Sequence, residues 1–98
     1  MKLSDTDIRQ RLKSASGWSV KDNALVREFA FPSFPDAIAF VTRLAFDAEA
    51  ADHHPDLLVK YRKVTVTWST HSDGGVTAKD FDGVAKTDAV AAKLQKVS

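Results

Sequence analysis

The chain of 98 residues reads as one α+β domain in the order α-β-β-α-β-β-α, a four-stranded antiparallel sheet with helices packed on one face. Three features carry that reading. Capping signals at Ser4, Ser33 and Thr77 each open a stretch with helical spacing. Between them lie two pairs of extended runs, each pair joined by a short polar junction. One of those runs, Val64 to Thr70, alternates apolar and polar residues without a break.

Ser4 with Asp7 three positions on forms the first capping box, and Leu3 and Ile8 stand where a hydrophobic staple closes over it. Ile8, Leu12 and Ala15 make a short apolar stripe, and Ser16-Gly17 supplies the stop. Trp18–Val20 and Ala24–Phe31 are expected to pair as a hairpin around Lys21-Asp22-Asn23, with Leu25, Arg27, Phe29 and Phe31 on one face. Ser33, Pro35 and Asp36 start a second helix that runs to about Asp52. Its inner side is Ala37, Phe40, Val41, Leu44, Ala48 and Ala51, while Phe46 falls on the other side. Pro55 ends the helical tendency, Leu57–Tyr61 reads as a strand and Arg62-Lys63 as the junction after it. In the next strand Val64, Val66 and Trp68 face one way, and Thr65, Thr67, Ser69 and His71 the other. Ser72–Gly75 is a loop, and Thr77 with Asp80 opens the last helix. There Phe81, Val84, Ala85 and Ala92 form one stripe and Val90, Leu94 and Val97 another, so two partners are expected: the sheet and a second subunit.

Composition narrows the function classes. With 44% hydrophobic and 28% charged residues, four glycines and three prolines, the chain is globular rather than disordered. Fourteen basic against thirteen acidic residues leave a net charge of +1 with no basic cluster, which argues against direct nucleic-acid binding. The absence of cysteine excludes disulfides, thiolate metal sites and thiol nucleophiles. No run approaches the ~20 apolar residues of a membrane span, and Met1–Asp5 turns polar at once, so the cytoplasm is the expected location.

His53, His54 and His71 fall within nineteen residues, two past the end of a helix and one at the end of a strand. Glu49, Asp52, Asp56, Asp73 and Asp80 surround them in sequence, and Glu49 shares a face with His53 if the helix continues that far. Four readings compete. Imidazoles suit a helix C-terminus as simple polar residues. A three-imidazole metal site lacks the usual HxH or HxxxH spacing. Nucleophilic catalysis lacks a cysteine or a glycine-flanked serine elbow. General acid–base catalysis by imidazole needs no cofactor. Asp80 serves its capping box under any of them, and Tyr61 and Trp68 read as core before ligand platform. The residues alone lead to a small α+β domain with a histidine-lined pocket.

The pattern Glu49-x-x-x-His53-His54-Pro55, then Tyr61, Val64, Ser69-Thr70-His71 and Asp80 resembles the pterin-4a-carbinolamine dehydratase family. Phe40–Arg43 resembles its central helix and Trp18 its early tryptophan, so the likeness spans nearly the whole chain. One departure is Leu57, where the family often has a tryptophan near the ligand. The resemblance implies dehydration of 4a-hydroxytetrahydropterin to quinonoid dihydropterin, without a metal or organic cofactor. It implies His54 and His71 as proton carriers, His53 as the group that orients the pterin, and Asp80 and Glu49 as the setters of imidazole orientation. Asp52, Pro55, Ser69 and Thr70 join Glu49 on the substrate-binding side. It also implies a homodimer or homotetramer. Relatives of the same fold that serve as RuBisCO assembly factors, or as a transcriptional dimerisation cofactor, give the alternative functions.

Overall fold

β4 (Lys63–Trp68) runs through the middle of the domain, with the sheet ordered β1-β2-β4-β3 and every neighbouring pair antiparallel. This is a computed structural model, and it describes residues 1–95. The remaining elements are α1 (Asp5–Leu12), β1 (Ser19–Lys21), β2 (Ala24–Ala30), α2 (Phe34–Ala51), β3 (Asp56–Lys60), a 3₁₀ turn (His71–Asp73) and α3 (Ala78–Gln95). The order is the expected one. No helix among the described residues is long and apolar enough to cross a membrane.

The caps form as the sequence indicates. Ser4 Oγ accepts from the Asp7 N–H at 3.1 Å, and Ser33 Oγ from the Asp36 N–H at 3.2 Å, with Pro35 in the first turn of α2. Asp22 and Asn23 close the first hairpin with φ of 52° and 62°, the left-handed pair that a two-residue type I′ turn requires. The second hairpin closes one residue earlier than expected. Lys60 pairs with Lys63, so Tyr61 (φ 55°) and Arg62 form the turn and Lys63 begins β4. Tyr61 is accordingly exposed rather than part of the core.

Alternation then decides what the helices cover. Leu25 and Phe29 of β2, Val64, Val66 and Trp68 of β4, and Leu57 and Val59 of β3 face α2 and α3. Glu28, Thr65, Thr67 and Leu58 look the other way, toward the open face of the sheet. Phe29, Phe31 and Phe40 pack with ring centroids 4.8–6.4 Å apart, and Trp18 meets Phe29 edge-on at 6.0 Å. Arg27 shares the inner face of β2 because its guanidinium lies 4.5 Å over the Phe29 ring and bonds Asp88 at 3.1 Å. The same Asp88 carboxylate accepts from Trp18 Nε1 at 3.0 Å.

α3 departs from its two-stripe reading. Its inner face is a single stripe: Asp80, Gly83, Val84, Thr87, Val90 and Ala91. Ala85 and Ala92 are exposed, and Val97 lies outside the described residues. Val84 and Val90, one from each expected stripe, are buried in it, and Phe81 and Leu94 pack against the core. Half of the stripe is polar or lacks a side chain, so hydropathy alone splits one face into two.

Candidate active site

The site begins with the way α2 stops. Asp52 takes the left-handed conformation (φ 51°, ψ 40°), its N–H bonds Glu49 O at 3.1 Å, and the His53 N–H bonds Ala48 O at 3.2 Å. This is the Schellman closure, with aspartate in the place glycine usually holds; short polar side chains tolerate that region best after glycine. The reversal directs His53 back beneath the helix while His54 stays outside. Pro55 then sends the chain into β3 in extended form.

His53 is held on two sides. Its Nε2 is 2.6 Å from Asp80 Oδ1, and its ring stacks on the Trp68 indole with centroids 5.4 Å apart and planes 29° from parallel. Asp80 is fully buried, and the His53 side chain is 15% exposed. The other Asp80 oxygen accepts from the Thr77 N–H at 2.8 Å and from the Thr70 hydroxyl at 2.8 Å. The Thr70 and Thr77 hydroxyls are also 2.8 Å apart. Thr70 has one proton and gives it to Asp80, so Thr77 donates to Thr70 and accepts in turn from the Lys79 N–H. Oδ2 therefore accepts twice, and because a carboxylate has only acceptors, the assigned arrangement has His53 Nε2–H donating to Oδ1. Nδ1 remains without a protein partner among the described residues. A carboxylate with three donors and an imidazole with one fixed edge is the base–orienter geometry of acid–base sites.

The stacking partner is itself anchored. Trp68 Nε1 donates to Thr87 Oγ1 at 2.9 Å, and that hydroxyl donates to Gly83 O at 2.7 Å. The indole lies so close to α3 that a Cβ on Gly83 would stand 2.6 Å from its ring atoms. Beside it a cleft opens between α2 and α3. Ala48, Ala51 and Gly83 leave room there, His53 and Trp68 form one wall, and Lys79 and Lys86 bring charge to the rim.

His54 forms a second, exposed pair, with Nε2 2.8 Å from Glu49 Oε1. Glu49 thus joins His54 rather than His53, because the left-handed residue turns His53 away before it can occupy the i+4 position. His71 opens the 3₁₀ turn, is exposed, and makes no side-chain hydrogen bond or ion pair among the described residues. That turn is closed by the Thr70–Gly75 bridge. In it Asp73 meets the Met1 ammonium at 2.6 Å and the Ser72 hydroxyl at 3.1 Å, which holds its carboxyl below the usual carboxylate range.

Of the residues singled out from sequence, the structure joins His53, Thr70 and Asp80 in one buried network and Glu49 with His54 in another contact. Asp52 serves as the αL cap, Pro55 sets the chain direction, and Ser69 follows β4, half-buried and without a side-chain hydrogen bond among the described residues. His53 lines the cleft; His54 and His71 do not. Thr77 and Asp80 form the capping box expected of them, with the Thr77 N–H on Asp80 Oδ2 at 2.8 Å; sequence reasoning missed Gly83 and Thr87. The 80–83/84–87 spacing on one helical face carries the signal for both, read as a polar stripe instead of an apolar one.

Comparison with known proteins bears on the family and the fold. A family model described as pterin 4 alpha carbinolamine dehydratase matches residues 1–90. A Roseiflexus castenholzii protein that carries the provisional name pterin-4-alpha-carbinolamine dehydratase is 50% identical over 88 residues, spanning 90% of this chain and 95% of its own. A Sulfolobus acidocaldarius protein of the same provisional name is 42% identical over 90 residues, covering 92% and 99%. A crystal structure described as a transcriptional coactivator/pterin dehydratase from Brucella melitensis superposes with a TM-score of 0.89 at 35% identity, over 93% of this chain and 99% of that one. A pterin dehydratase-like protein described as a RuBisCO assembly factor of the alpha-carboxysome is more distant, at TM-score 0.63 and 25% identity over 76% and 86%. Matched along residues 1–90 and at half identity to a relative over 90% of its length, the chain belongs to the pterin-4-alpha-carbinolamine dehydratase family.

Proposed function

We propose that this protein dehydrates 4a-hydroxytetrahydropterin to quinonoid dihydropterin, with His53 and His54 as its proton carriers. The observation that carries the reading is His53, fixed between the buried Asp80 carboxylate and the Trp68 indole at the wall of a cleft. In the substrate one ring carbon bears both a hydroxyl and a nitrogen. The nitrogen lone pair forms a C=N bond as the C–O bond breaks. One proton is delivered to the departing oxygen, which leaves as water, and one proton is taken from the ring. The sum is loss of one water with no change of oxidation state, so the step asks for no metal or organic cofactor.

Two oriented imidazoles suit that exchange. His53 offers Nδ1 to the cleft because Nε2 is engaged by Asp80. His54, the next residue, lies outside the cleft lining, is oriented through Nε2 by Glu49, and would reach the substrate from the solvent side. The resemblance assigns proton transfer to His54 and His71. The orienting carboxylates favour His53 over His71, which has none among the described residues, so His71 is read here as a binding group beside the site. The dehydratase reading is also better supported than the assembly-factor one, since the structure described as a RuBisCO assembly factor is the more distant of the two. Alanine variants assayed for carbinolamine dehydration test it. His53→Ala and His54→Ala should each lose about 10²–10⁴-fold in rate, and His71→Ala should act mainly on KM. Wild-type rates in both of the first two would remove the mechanism.

The reading extends to a homo-oligomer of at least two chains. Phe46 is 69% exposed on α2, and Leu58 is 52% exposed on the edge strand β3. Sedimentation at micromolar protein should give at least twice the mass of one chain; the mass of a single chain would refute it.

A further inference from the structure

We propose that Thr87, one helical turn beyond Gly83 on α3, is a positioning residue for the dehydratase centre, acting on His53 through the Trp68 indole. The inference rests on the reading of His53 as a site group. Thr87 is fully buried and touches neither histidine nor Asp80 through a hydrogen bond. Its hydroxyl has one proton, committed to Gly83 O at 2.7 Å, so its oxygen is left to accept from Trp68 Nε1 at 2.9 Å. That bond fixes the rotation of the indole in its own plane.

Gly83 fixes the depth. A Cβ there would come within 2.6–2.7 Å of three indole atoms, so the ring is pressed flat on the α3 backbone. With tilt and rotation both set, the indole presents one surface to the imidazole, 5.4 Å away. Asp80 alone holds His53 at one atom and leaves the ring free to pivot about the Nε2 contact. The stack against Trp68 removes that freedom and aims Nδ1. The centre is thus clamped twice from α3: by Asp80 directly, and by Gly83 and Thr87 through the tryptophan of β4.

Thr87→Val keeps the branched shape and deletes only the hydroxyl. It should lower kcat for carbinolamine dehydration by about tenfold with KM within about twofold, as expected when a reacting group is misaimed and substrate binding stays intact. Thr87→Ser, which restores the oxygen, should return kcat to within about threefold of wild type. The nitrogen-15 NMR signals of His53 should shift or broaden in Thr87→Val while those of His54 stay in place. Trp68→Phe keeps a stacking ring without the N–H and serves if Thr87→Val does not fold; the same two readouts should move. A folded Thr87→Val with wild-type kcat and unchanged His53 signals overturns the proposal, as does the same result for Trp68→Phe. Altered His53 signals in Thr87→Val, combined with full activity in His53→Ala, would keep the coupling of Thr87 to His53 but sink the catalytic reading of His53 and, with it, the role of Thr87 in the reaction.

Discussion

Asp80→Asn should fold and yet lose about 10²–10⁴-fold in dehydration rate. The amide oxygen can take the place of Oδ2 and keep the bonds from the Thr77 N–H and the Thr70 hydroxyl. The amide nitrogen then stands where Oδ1 was, 2.6 Å from His53 Nε2, and two N–H donors face each other. The neutral imidazole relieves the clash by moving its proton to Nδ1. That is the atom proposed to exchange a proton with the pterin, so the ring is present, well placed and in the wrong tautomer. Stability should fall by about 1–3 kcal/mol, the scale of one buried, charge-assisted bond. Nitrogen-15 NMR of the His53 ring checks the tautomer, and a dehydration assay checks the rate. A variant with wild-type rate would show that the carboxylate does not set the proton on His53.

Gly83→Ala should destabilise the protein, against the usual direction for this change in a helix. Exchanging glycine for alanine inside a helix ordinarily gains up to about 1 kcal/mol. Here the new methyl would sit 2.6 Å from Cδ2 and Cε2 of Trp68, inside the distance that real contacts allow. The obstacle is no flexible side-chain tip. The indole is 2% exposed, tethered to Thr87 and stacked on His53, so relief requires moving the ring or the helix. Overpacking of this kind costs about 1–3 kcal/mol and outweighs the propensity gain. Urea denaturation should show a lower midpoint with an unchanged slope, and dehydration should slow as the indole carries His53 with it. A midpoint above wild type would mean that α3 and β4 separate readily and that the contact is not a constraint.

Residues whose local chemistry and period agree are legible in the amino-acid sequence. Ser4 and Ser33 cap helices because their hydroxyls meet an N–H three residues on, a contact within one turn of chain. Val64, Val66 and Trp68 are buried because a strand turns alternate residues to one side. The second hairpin escapes by one residue because Tyr61 has an apolar ring and no turn signature. Its positive φ is imposed by the Lys60–Lys63 register, which depends on two strands at once. The orientation of α3 escapes for a related reason. Its inner face carries Asp80, Gly83 and Thr87, each suited to one particular neighbour: a histidine, an indole, an indole N–H.

The histidines divide in the same way. Spacing places all three near element ends, and the resemblance ties them to a carbinolamine. Neither can tell Glu49 paired with His54 from Glu49 paired with His53. A single left-handed residue, Asp52, decides that, by turning the chain before the helical period reaches the first histidine. Cap chemistry, alternation and motif spacing are properties of neighbours along the chain, so the order of elements and the family are written in the amino acids themselves. Which imidazole is clamped, and by what, depends on a carboxylate 27 residues away and an indole on another strand. Those contacts exist only once β4 lies beneath α3, because the burial that brings them together is a sum over the whole core rather than a preference of any one segment.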